Sequence, residues 1–227
     1  MKQYVVGNWK CHKKTAEALA WFDAFAGRYR STENREVIVA PSFICLESIS
    51  LYLKKLNLKN VRLAAQNVSP FPRGAYTGEI AADMLRGLVD YVIIGHSERK
   101  RYFHETDQDV INKVTETVDA GLVPIVCVDG SSIWSRLASL QEIDIDRMII
   151  AYTPVDALTF KIPESPEKVA ETLEEKKHYL VKWPVIYGGA LLPSNVREYS
   201  ALPVLSGVFV ASASLDPGDF IDVCQQV

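Results

Sequence analysis

The sequence has no long apolar run. No stretch reaches the roughly 20 residues that a membrane-spanning helix needs, and the opening MKQYVVGNWK has no signal-peptide core. The expectation is a cytoplasmic protein with no membrane partner. There is no excess of basic charge either: 25 Lys and Arg against 28 Asp and Glu leave a net charge of −3. A nucleic-acid binder shows a basic excess, so no nucleic-acid partner is expected. Cysteine is sparse. Cys11, Cys45, Cys127 and Cys224 are scattered, with no C-x-x-C pair and no metal-ligand spacing. Buried thiols in a reducing cytosol are expected, and no metal. Low-complexity tracts, linker-like breaks in composition and the G-x-G-x-x-G fingerprint of dinucleotide-binding sheets are missing too.

What is present is apolar and periodic. At 48% hydrophobic and 23% charged, 227 residues can bury a proper core, which excludes a disordered chain. Short runs rich in Val and Ile read as strands at 4–9, 36–40, 61–66, 91–96, 124–129, 148–153, 184–189 and 207–213. Near-continuous apolar strands suit a parallel sheet covered on both faces. Amphipathic stretches alternate with them, over 15–29, 107–120 and 165–180, and Ser165-Pro166 and Asp216-Pro217 read as helix starts. Dividing 227 residues among eight strand–helix units gives about 28 per unit, close to the ~250-residue norm of a closed eight-fold α/β barrel. The fifth unit is short, with only 131–140 left for its helix. The expectation is one domain over 1–227.

In such a barrel, function sits at the carboxyl ends of the strands. The polar residues expected there are Asn8 and Lys10, Gln66 and Asn67, His96, Ser97 and Glu98, and Thr153. Gly188 and Gly189 follow the seventh strand, and Ala211 and Ser212 end the eighth. One Lys, one His and one Glu converging with backbone amides point to a small anionic substrate. Cys127 has no neighbouring base in sequence and is expected to be a core thiol. His12, His104 and His178 are expected to be ordinary surface or helix residues.

Longer motifs carry a resemblance. GNWK (7–10), QNVSPFPRGAYTGE (66–79), GHSERKRYFHET (95–106), PIVCV (124–128), Ala151-Tyr152 with Pro154-Val155, YGG (187–189) and ASLDP (213–217) follow one another along the whole chain. In them the sequence resembles the triosephosphate isomerase family. The resemblance implies a (β/α)8 TIM barrel that interconverts dihydroxyacetone phosphate and glyceraldehyde 3-phosphate through an enediolate, in glycolysis and gluconeogenesis. It implies a phosphorylated triose as substrate, no cofactor, and a homodimer built through the 66–79 loop. It makes His96 the electrophile, Lys10 the cation, Asn8 an oxygen-orienting amide and Glu98 a supporting carboxylate. These roles are the family's own, in which a neutral histidine serves as the electrophile. By the same resemblance Gly188, Gly189, Ala190, Ala211 and Ser212 cradle the phosphate, and Thr77 reaches into the partner subunit to support Lys10 and His96.

The departures from the family pattern cluster. The catalytic base stands before the proline of A-Y-E-P-V in the family, and here that residue is Thr153. A hydroxyl is no general base near neutral pH. The lid that follows carries Asp156 in place of a Trp, and 157–161 contain no glycine. Ala190 replaces a phosphate-binding serine, and Ala211 and Ser212 replace paired glycines. The expected outcome is a strongly impaired isomerase. The alternative is a catalytically dead relative that binds sugar phosphates or serves as a dimeric interaction protein.

Overall fold

The computed structural model describes residues 2–130, 138, 140, 143–180 and 182–227. Among them are β1 (Gln3–Asn8), β2 (Arg35–Ala40), β3 (Val61–Ala65), β4 (Tyr91–Ile94), β5 (Val123–Val128), β6 (Ile149–Tyr152), β7 (Val185–Tyr187) and β8 (Gly207–Val210). Each pairs in parallel with the next, and β1 closes the barrel against β8 in the register Val5↔Val208 and Gly7↔Val210. This is the (β/α)8 architecture expected from the alternating pattern.

Strand geometry explains why the apolar runs are unbroken. Successive side chains point to opposite faces, and here both faces are dry. Val6, Ile38, Ile93, Ile125, Cys127, Ile186 and Phe209 fill the barrel interior. Their neighbours Val5, Val37, Val39, Val92, Val126 and Val208 face the surrounding helices. Burying each such side chain contributes roughly 1.5–3 kcal/mol. At the β8–β1 seam Gly207 has φ +145°, and a Cβ there would stand 1.9 Å from the Tyr4 carbonyl oxygen. Closure at that seam therefore requires glycine.

Helices Thr15–Arg28, Phe43–Leu56, Asp107–Asp119, Pro166–Glu175 and Pro217–Gln225 pack outside. Both expected start signals operate. The Ser165 hydroxyl accepts the Lys168 N–H, and the Asp216 carboxylate accepts those of Gly218 and Asp219. The stretch expected as one helix over 165–180 is broken at Lys176 and resumes at Lys177–Leu180. The expected fifth-unit helix over 131–140 lies outside the described residues except for Ala138 and Leu140. Three cysteines are buried as expected, but Cys11 is exposed, because it lies in the loop that leaves β1. No helix among the described residues is long and apolar enough to cross a membrane.

The strands end sooner than their apolar runs suggest. β4 stops at Ile94, where Gly95 turns with φ +74°, and His96 then caps the helix Ser97–Phe103. β7 stops at Tyr187 and β8 at Val210. These early exits turn the polar residues out of the sheet and onto one rim.

Candidate active site

At that rim lies a cavity of about 330 Å³. Of the residues expected at the site, Asn8, Lys10, His96, Gly188, Ala190, Ala211 and Ser212 line it. Trp9, Phe209, Leu215, Leu191 and Leu192 form its apolar walls, and Leu158 and Lys161 close it from the segment after β6. His12, expected as an ordinary surface residue, also lines it. Gly189 does not line it but fits beneath that segment: a Cβ there would meet the Tyr187 hydroxyl at 2.3 Å and the Ala157 Cβ at 3.1 Å. Thr77 is exposed at the tip of the 66–79 loop, away from the cavity of its own chain.

Lys10 is the most constrained of these residues. Its backbone is left-handed, with φ 51°, a conformation that costs a non-glycine residue on the order of 1–3 kcal/mol. Two side chains hold it there. Its N–H donates to Asn8 Oδ1 at 3.0 Å, and its carbonyl accepts from Gln66 Nε2 at 2.9 Å. Gln66 Nε2 also donates to the Ala40 carbonyl at 2.8 Å, tying β2 and β3 to the loop that carries Lys10. The Lys10 ammonium meets Glu98 Oε1 at 2.6 Å. Asn67, by contrast, accepts from Lys113 Nζ at 2.9 Å and belongs to a buried network with Glu105.

His96 is buried at the start of its helix. Its Nδ1 accepts the Glu98 N–H at 3.2 Å, so Nδ1 carries no proton and Nε2 is the N–H donor. Burial pushes its pKa down to about 4; the Glu98 carboxylate opposes this and the Lys10 ammonium adds to it. At neutral pH the ring is an uncharged hydrogen-bond donor on the cavity wall.

The carboxylates are elsewhere. No Asp or Glu is among the described residues that line the cavity. Thr153 is buried, and its N–H and hydroxyl both donate to the Val128 carbonyl, at 2.8 and 3.4 Å. Asp156 is exposed on the first turn of the helix Val155–Phe160. Glu164, the next glutamate along the chain, accepts from the Tyr152 hydroxyl at 2.8 Å and pairs with Lys168 at 2.7 Å. Its own N–H donates to the Tyr187 hydroxyl at 3.0 Å, and its carbonyl accepts from the Tyr199 hydroxyl at 2.6 Å. That web fixes the far end of the segment after β6 and holds the Glu164 carboxylate off the cavity.

The family model described as triosephosphate isomerase matches residues 3–227. The chain belongs to the triosephosphate isomerase family. It is 34% identical to the triosephosphate isomerase of Thermodesulfovibrio yellowstonii, with 98% of each chain covered. It is 39% identical to that of Gloeobacter violaceus, with 96% of each covered. The cavity of this triosephosphate isomerase relative thus combines an imidazole donor and a held lysine with no Asp or Glu among its described lining residues. Sequence reading placed seven of the fifteen lining residues at the site and set Gln66 at the same rim without a role, but assigned no part to His12 or Lys161. Gln66 had a legible signal, as a polar residue ending an apolar strand. For Lys161 the missing glycine marked the segment but not the direction in which the lysine would serve.

Proposed function

We propose that this chain binds a phosphorylated triose in the cavity and interconverts dihydroxyacetone phosphate and glyceraldehyde 3-phosphate at a strongly reduced rate. His96 Nε2–H polarises the substrate oxygens, and Lys10 offsets the charge that develops on the enediolate. Asn8 and Gln66 act on Lys10 rather than on substrate, since their bonds go to its backbone. Glu98 supports both groups, holding the ammonium through its carboxylate and the imidazole tautomer through its N–H. Ala211, Ser212, Gly188 and Ala190 flank the phosphate, with Gly189 as the packing position beneath. No cofactor is called for, because the reaction only moves a proton between neighbouring carbons.

The observation that carries the impairment is the carboxylate-free lining, with the Thr153 hydroxyl spent on Val128 and Glu164 spent on Tyr152 and Lys168. Loss of general-base catalysis removes roughly 10²–10⁴ in rate. The same observation favours a second reading, a pocket that holds sugar phosphates without turning them over. We read the chain as one cytoplasmic domain that pairs with a second copy through the 66–79 loop.

The test is Thr153→Glu in a coupled isomerisation assay. A carboxylate restored on this scaffold is expected to raise turnover at least tenfold. No gain in a variant that still binds substrate would mean that the base is not what the site lacks, and would favour the binding reading.

A further inference from the structure

Left-handed backbone in non-glycine residues is sparse in this chain, yet three instances line the one cavity: Lys10 at φ 51°, Lys161 at 56° and Ala190 at 52°. Such backbone is disfavoured by the Cβ and persists where surrounding structure or function demands it. The hydrogen bonds from Asn8 and Gln66 account for Lys10. Lys161 is the C-cap of the helix Val155–Phe160, a position where glycine is the unstrained choice. A lysine there keeps a conformational cost that glycine would remove, and it brings a cation to the cavity.

The charges around it make that cation the available one. Lys10 is engaged by Glu98 at 2.6 Å. His96 is neutral, with its pKa near 4. Lys161 makes no ion pair among the described residues, and the lining offers it no carboxylate. Of the other residues lining the cavity, Leu191, Leu192 and Ala190 carry no side-chain donor. Of the two lysines that line the cavity, an anion there therefore meets Lys161 as the one without a carboxylate partner among the described residues.

We infer that Lys161 is the group with which the segment after β6 grips the ligand's dianionic phosphate. It does so by side-chain charge, at a position where glycine would offer only backbone. The inference rests on reading the cavity as a phosphate site, and it names what binds the phosphate there. Because an ammonium is a point charge with freely turning donors, the grip favours dianions and weakens with salt.

Isothermal titration with glycerol 3-phosphate at low ionic strength tests it, with glycerol as the uncharged control. Lys161→Gly suits the left-handed backbone, so the unliganded variant keeps its fold, which thermal melting checks. Lys161→Met keeps the length of the side chain and removes only the charge. Wild type is expected to bind glycerol 3-phosphate and not glycerol, and both variants to bind it at least tenfold more weakly. Equal binding by wild type and both variants would overturn the role of Lys161 and leave the phosphate reading standing. No binding by wild type would overturn both.

Discussion

In the proposed reaction, Thr153 and His96 stand at the two ends of one chemical requirement, removal of a proton beside a carbonyl that is polarised at the same moment. His96 has the state its proposed half needs. Its burial and its bond from the Glu98 N–H hold it neutral, with the proton on Nε2. That state has a thermodynamic signature. An unfolded imidazole takes up a proton near pH 6.5, whereas the folded one resists until about 4. The unfolded chain therefore binds more protons in that window, and stability falls as pH drops through it. A shift of that size corresponds to about 3 kcal/mol. Urea unfolding of wild type and His96→Gln between pH 7.5 and 4 should show it. Wild type is expected to lose more stability than the variant as pH falls from 6.5 to 4; parallel profiles would contradict the buried neutral ring. Thr153 keeps nothing of its half, since its hydroxyl faces the backbone of β5. The identity of that residue was plain in the sequence. Its orientation, and the capture of Glu164 by Tyr152 and Lys168, were not, because both depend on side chains brought together from distant strands.

At the level of elements, the 66–79 loop is exposed from Phe71 to Glu79. Phe71 and Tyr76 stack at 4.7 Å yet stay 43% and 42% exposed. Ser69 closes the base of the loop through its N–H to the Ile80 carbonyl, 2.8 Å, and Arg73 anchors it to Asp83 at 3.1 Å. A loop so internally ordered, presenting aromatics to solvent, suits docking against a second copy. Tyr102 and Phe103, exposed at 62% and 66% on the helix that His96 caps, supply further apolar surface, and Tyr102 shares a surface cleft with Lys10. Sedimentation is expected to give a particle of about twice 25.4 kDa. Thr77→Arg is expected to leave monomers, because it puts a long charged side chain in place of a small hydroxyl at the exposed tip of the loop that would dock. A monomeric wild type, or a dimer indifferent to that change, would contradict the loop's role. The loop's extent could be read from its motif. Its stacking could not, because aromatics nearby in sequence carry no record of which face they share.

For the whole molecule, the barrel was the most legible feature. Two dry faces demand unbroken apolar strands, and eight such runs separated by helix-length segments leave few other closures. Strand ends were read too long at β4, β7 and β8, because hydropathy continues past the point where Gly95 and the residues after Tyr187 and Val210 turn the backbone outward. The compressed fifth unit falls between β5 and β6, with Cys127 and Val128 still paired to Ala151 and Tyr152. Shortening there left the registry of the barrel whole. The chain thus combines a closed barrel with a rim cavity whose described lining holds no Asp or Glu, and the proposed impairment rests on that combination. Turnover of glyceraldehyde 3-phosphate by the unmodified protein tests this most directly, with the Gloeobacter violaceus relative assayed beside it. The expected result is a rate at least ~10²-fold below that relative, the low end of what a general base contributes; a rate within tenfold of it would contradict the account.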